Sequence, residues 1–390
     1  MNYVSKDLHM SWNHEDFPDV KMFCCTNYEK CVKGNRLDNP EPVALSYFSQ
    51  RAKEGIESRW DVQRILDISM ALDKWKPLEY VSPQVKQWCI DIASRIITGL
   101  PYIPFEQDLL ASKWFLTTFL TDDPLEKAME REEWWPAGKE FIDRFCSIYG
   151  DKDQRGKKAL VTMDDVEGEL PEEIIKSMNA ALAVHQFDLE PQIRAMFPQK
   201  TRQACREWAR EYAINISEEA RHFGPALRSR KYINVYGLND TRIFTIGFFW
   251  ITPPLLPFKD VDRFFNAITS TDPKSLLLAW ICCADNDIIS GPKDQKSEGR
   301  DFSPVSRCMY IIQEQGVDYK TALRMVLNER NAAMYKLEQE IWNMDYESRR
   351  PYYILFLLIH KLLDYHIVTS INKPNTRYGW YPTIYDPISK

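Results

Sequence analysis

The chain has 390 residues, 44% of them hydrophobic and 13% aromatic, enough for a sizeable core and for one large domain or two ordinary ones. Lysine and arginine total 50 against 56 for aspartate and glutamate, a net charge of −6, which excludes a general affinity for nucleic acid or anionic membrane. The nine cysteines include no CxxC pair and no neighbouring histidine at zinc spacing, so they are read as reduced, mostly buried thiols.

The N-terminus, "MNYVSKDLHMSWNHEDFPDV", has no apolar signal core and is too acidic for a transit peptide. Residues 1–45 are proline-bearing ("RLDNPEPVA") and read as an irregular extension lying on or near the body that follows, residues 46–390. From there apolar residues recur at three- and four-residue spacing, and the fold class is all-α. Predicted helices include "VQRILDISMALDKW", "QVKQWCIDIASRIITGL", "DLLASKWFLTTFLT", "PEEIIKSMNAALAVHQF", "TRQACREWAREYAINISEEARHF", "PKSLLLAWICCADNDIIS", "YKTALRMVLNERNAAMYKLEQEIWNM" and "YYILFLLIHKLLDYHIVTSI". Prolines punctuate them, and the charged segment near residues 150–170 reads as a surface loop. The most apolar runs are shorter than the ~20 residues a spanning helix needs, so a cytoplasmic protein without an integral membrane segment is expected.

Two oxygen-rich stretches carry chemistry. In "FLTDDPLEKA", Asp122, Asp123 and Glu126 follow an apolar, aromatic helix and form a hard-oxygen cluster suited to Mg²⁺, or else a solvated acidic cap beside Pro124. In "NDIISGPKD", Asn286, Ser290 and Asp294 recur every fourth residue, each about 40° around a helix axis from the last, so their oxygens share one face. Chance alone can produce that pattern on a polar face. Yet the apolar "LLLAWICCA" leads straight into Asn286, where an unpaired amide is costly. Facing each other, the two stretches would hold Mg²⁺ ions that in turn bind a polyanion such as a diphosphate. Arg242, Lys293 and Arg377 supply cations, the two arginines among apolar or aromatic neighbours.

In this order and spacing the motifs resemble those of the class I terpene cyclases of the single-domain type, over about residues 60–380. The resemblance implies an α-helical bundle around a central cavity, three Mg²⁺ ions (with Mn²⁺ as a substitute), and a prenyl diphosphate whose ionisation starts a carbocation cascade. Asp122 matches the leading aspartate of the first metal motif, Asp123 and Glu126 its flanking acids. Asn286, Ser290 and Asp294 match the second triad, with Asp for the usual Glu, and Lys293 the preceding basic residue. Arg242 resembles the diphosphate-sensing arginine, and Arg377 with Tyr378 the C-terminal diphosphate-binding pair. Thr245 and Gly247 match the small residues after the sensor only loosely.

Gly291 and Pro292 depart from the pattern, and a kinked or unwound helix is expected there, which makes Asp294 the least secure ligand. Trp114, Phe115, Phe119, Phe248, Phe249, Trp250 and Tyr378 are candidates for a cavity wall that stabilises cations without acting as a nucleophile, with Phe115 and Phe119 foremost. The expected substrate is geranylgeranyl diphosphate, with farnesyl diphosphate close behind, and the expected state a monomer or homodimer. A chain-elongating prenyl diphosphate synthase of the same fold, and a helical scaffold without catalysis, are the rival readings. Asn286 and Ser290 argue against the first, since a second aspartate-rich motif would stand there.

Overall fold

The computed structural model describes residues 11–14, 17–23, 62–80, 86, 90, 93, 104–129, 131–149, 170–233, 241–247, 249, 253–255, 272–296, 305–345, 348 and 352. The one sheet among them is an antiparallel hairpin of β1 (Ser11–His14) and β2 (Phe17–Phe23), with Ser11 opposite Phe23 and a register shift at Asn13/His14. It forms inside the stretch expected to be irregular.

All else regular is helical: α1 (Val62–Asp73), α2 (Phe105–Met129), α3 (Trp135–Ile148), α4 (Glu172–Val184), α5 (Glu190–Met196), α6 (Gln199–Ser229), α7 (Thr241–Thr245), α8 (Pro273–Lys296), α9 (Arg307–Gln315) and α10 (Tyr319–Trp342). A π-helical turn, His185–Leu189, joins α4 to α5. The all-α prediction therefore holds. Among the helices additional to those picked out by periodicity are α3 and α9. The first opens on Pro136 in its first turn, where a missing N–H is harmless, and the second closes on Gly316 with φ 65°.

Local chemistry fixes the starts of α8 and α10. Before α8, the Asp272 carboxylate accepts the Ser275 N–H at 2.8 Å and the Tyr352 hydroxyl at 3.0 Å. Before α10, Asp318 accepts the Thr321 N–H at 2.7 Å. The helix α2 runs through Pro124, and α8 runs through Gly291 and Pro292 to Lys296. The expected unwinding at Gly291–Pro292 does not occur, because a proline withdraws one N–H from the ladder while the turns on both sides keep theirs. For the same reason Asp122, Asp123 and Glu126 lie on a continuing helix and not beyond its end.

The core is one apolar cluster running through these helices, with Leu110, Trp114, Phe141, Phe145, Met178, Leu182, Ala209, Leu278, Leu323 and Leu327 at or near zero exposure. Helix α6 packs against α2, α3 and α7; α7 packs against α8, and α8 against α9 and α10. So α6 and α7 bridge the two helices that carry the oxygen-rich motifs. The five described cysteines are all free thiols, four of them buried. Among the described residues no helix is long and apolar enough to cross a membrane.

One buried ion pair locks α8 to α10. The Arg330 guanidinium meets Asp285 at 2.7 Å with both side chains at or below 1% exposure. Burial pushes the Asp285 carboxyl up, and Arg330 opposes it. Replacing one partner leaves the other charge buried alone. Arg330→Met is expected to lower the unfolding free energy by about 3–5 kcal/mol, and the double variant Asp285→Leu/Arg330→Met to recover most of it, as read from denaturant unfolding.

Candidate diphosphate and metal site

Three elements distant in sequence converge around Arg242. This residue is on α7, and its Nη1 donates to Glu219 Oε1 on α6 at 3.4 Å, with Arg242 16% and Glu219 7% exposed. Burial alone would lower the guanidinium pKa; Glu219, Cys283, Asp287 and Asp122 together hold it raised. Asp122 belongs to α2 and Asp287 to α8, so the sensor candidate lies within electrostatic reach of both motif-bearing helices.

The second motif is anchored by residues that alternate with its ligand candidates. Asp285 points to α10 and pairs with Arg330, as above. Asp287 Oδ2 accepts the backbone N–H of Arg307, the first residue of α9, at 2.9 Å. Burial pushes the Asp287 carboxyl up to about 6, against the pull of Arg242 and the Arg307 amide. Asn286, between two buried acids, remains partly exposed. That placement corrects the premise of a deeply buried amide: the buried polar groups at this point are Asp285 and Asp287.

On α2, Phe115, Phe119, Asp122 and Glu126 follow each other at four-, three- and four-residue steps and form one stripe, all four partly exposed. The two phenylalanines meet edge to face with ring centroids 5.6 Å apart. Trp114 and Phe249, expected on the same wall, are core residues instead. Trp114 is fully buried and packs edge-on to Tyr149, and Phe249 stacks on Trp208 at 4.7 Å.

The backbones of Asp123, Ser290, Lys293 and Asp294 continue α2 and α8, but their side chains lie outside the described residues, as do Arg377, Tyr378, Phe248 and Trp250 altogether. Among the described residues no three His, Cys, Asp or Glu side chains are grouped to hold a metal. The described part of the donor set, Asp122, Glu126 and Asn286, is all oxygen and partly exposed, which fits Mg²⁺ and not a softer ion.

Behind Asp122 lies a support that periodicity did not reveal. His185, fully buried, is hydrogen-bonded through Nδ1 to the Tyr149 hydroxyl at 2.6 Å and through Nε2 to the hydroxyl of Thr121 at 3.3 Å. A neutral imidazole has one N–H and one lone pair and can serve both. The π-helical turn begins at this residue, and three residues on Asp188 accepts the Trp75 indole N–H at 2.5 Å. Gly247, at φ +77°, ends the sensor helix where a Cβ would stand 3.3 Å from Thr118 on α2. Only glycine adopts that backbone without strain, so α7 meets α2 one turn before Asp122.

Known terpene synthases are among the proteins that the chain resembles. Over 382 residues, 91% of this chain and 92% of the relative, it is 22% identical to the (+)-bicyclogermacrene synthase TS4 of Penicillium expansum. The fold matches the crystal structure of 2-methylisoborneol synthase from Streptomyces coelicolor with a TM-score of 0.56 at 12% identity, over 84% of this chain and 93% of that one. The same enzyme in complex with Mg²⁺ and 2-fluoroneryl diphosphate gives 0.55 at 12% identity, over 78% and 91%. No family model matches the chain. These likenesses bear out the resemblance to terpene cyclases read from the motifs, and the fold is that of the class I terpene synthases.

Burial holds the His185 pKa down at about 3, below the 6.5 of the unfolded chain. Between those values the unfolded chain binds the extra proton, so this group's contribution to stability falls as pH falls below about 6.5. It should lose about 1.5 kcal/mol between pH 6.5 and 5. Calorimetric unfolding is expected to show His185→Asn less stable than the native chain at pH 7, with the gap narrowing by about that amount at pH 5.

Proposed function

We propose that the chain is a Mg²⁺-dependent class I terpene cyclase that ionises a linear prenyl diphosphate and cyclises the resulting carbocation, releasing diphosphate. The observation that carries this reading is the convergence on Arg242 of Asp122 from α2 and Asp287, next to Asn286, from α8. A solitary acidic cap or a polar helix face needs no largely buried arginine beside it.

In this reading Asp122, Asp123 and Glu126 form one metal-holding face, and Asn286, Ser290 and Asp294 the other. Mg²⁺, when bound, neutralises the charge that develops on the departing diphosphate. Arg242, Lys293, Arg377 and Tyr378 bind the diphosphate oxygens and orient the allylic C–O bond. Phe115 and Phe119, on the same stripe of α2 as Asp122, offer ring faces to the cation and no nucleophile to trap it. Ionisation removes no proton, so the site requires no general base at that step; exclusion of water matters more.

The prenyl chain is the finer part of the proposal. Geranylgeranyl diphosphate is favoured and farnesyl diphosphate is the alternative.

Purified protein incubated with geranyl, farnesyl and geranylgeranyl diphosphates in Mg²⁺ should release a cyclic hydrocarbon or alcohol from one of them, detected by gas chromatography and mass spectrometry. EDTA should abolish the product, and Asp122→Ala and Asn286→Ala should each lower its rate about 100-fold or more, a barrier change of about 2.7 kcal/mol, with melting temperature held. Longer prenyl diphosphates in the presence of isopentenyl diphosphate would instead mean chain elongation. Inactivity of folded protein on the whole panel would sink both.

A further inference from the structure

Glu219 has no part in the motifs, yet it is the only group among the described residues that forms an ion pair with the Arg242 side chain. It lies on the apolar face of α6, in line with Tyr212 and Ile216, each at 2% exposure. An acid in that stripe stays only if it has something to hold. What it holds is one prong of the guanidinium, Nη1. Among the described residues, two polar atoms of the pair remain buried without a hydrogen-bond partner: Arg242 Nε and Glu219 Oε2. A guanidinium presents its N–H groups as a planar fork, so fixing Nη1 on Glu219 fixes where the edge bearing Nε points. That edge has a donor to spare: Nε is buried and unbonded among the described residues, while the side chain as a whole keeps 16% exposure.

We infer that Glu219 is the positioning residue of the diphosphate site, gripping Arg242 by Nη1 so that its Nε edge stays unspent and aimed at an incoming diphosphate oxygen. This rests on the diphosphate-binding role of Arg242 given above. Geometry, and not charge alone, is the claim. The same site holds Asp287 and Asp122 within electrostatic reach of the arginine, so neutralising the cation does not require Glu219. Reach does: neither of those acids forms an ion pair with Arg242 among the described residues.

Two substitutions separate reach from charge. Glu219→Gln keeps the length of the side chain and a carbonyl oxygen for Nη1, but removes the charge. Glu219→Asp keeps the charge and withdraws it by one methylene. Binding of inorganic pyrophosphate with Mg²⁺ to the full-length protein is measured by calorimetry, alongside each variant's melting temperature, in the native and the Arg242→Ala backgrounds. Glu219→Gln is expected to stay within about threefold of native affinity and Glu219→Asp to lose tenfold or more, with neither change altering affinity further once Arg242 is alanine. The reverse order, with Asp tolerated and Gln not, would show that Glu219 acts only as a counter-charge and would overturn the inference. So would equal losses with and without Arg242, or no loss from either variant. If Arg242→Ala itself leaves pyrophosphate binding intact, the diphosphate role of Arg242 fails first, and the inference falls with it.

Discussion

A cation largely withdrawn from water must be surrounded by acids, and much of the site's architecture follows from that requirement at Arg242. The arginine sits on a five-residue helix that ends at a glycine of positive φ, too short to place anything by itself. Its position comes from neighbours: α6 brings Glu219, α8 brings Asp287 and the Cys283 thiol against its own carbonyl, and α2 brings Asp122 into electrostatic range. Removing water around one charge forces three helices to agree on a common point.

The acids around that point outnumber their cations. Burial raises Glu219 to about 7 and Asp287 to about 6, each with Arg242 pulling the other way. A region so furnished repels a polyanion unless cations arrive with it, which is why a diphosphate would be bound here together with Mg²⁺. The supports are arranged outward from the ligand candidates: Arg330 behind Asp285, the Arg307 amide behind Asp287, and His185 behind Thr121, next to Asp122. Each leaves the ligand candidate beside it partly exposed while its own polar atoms are buried.

Much of this was legible in the sequence. The helical period, the stripe from Phe115 to Glu126 and the four-residue spacing from Asn286 to Asp294 depend on nearest neighbours along a helix, and local rules suffice for those. Glu219 carried a readable signal too, an acid in register with Tyr212 and Ile216, but its significance depends on an arginine that comes 23 positions later and folds back against it. Asp285 and Asp287 flank Asn286, the first residue of the second motif, and carboxylates in so apolar a run demand partners. The Trp114 side chain illustrates the opposite failure. It neighbours Phe115 in sequence, but 100° around the helix places it with Tyr149 in the core. Pro292 does not end its helix, because the turns on either side carry it through a single missing bond.

Those prolines have a mechanical consequence. Pro124 directly follows Asp123, and Pro292 stands two residues before Asp294, so each motif-bearing helix lacks one rung of its hydrogen-bond ladder within the motif. Upstream on α8, Asp285 and Asp287 are clamped to α10 and α9; upstream on α2, Thr121 is fastened through His185. Each helix is thus held fast just before the rung that it lacks, like a pair of tweezers jointed at the point where the arms would grip.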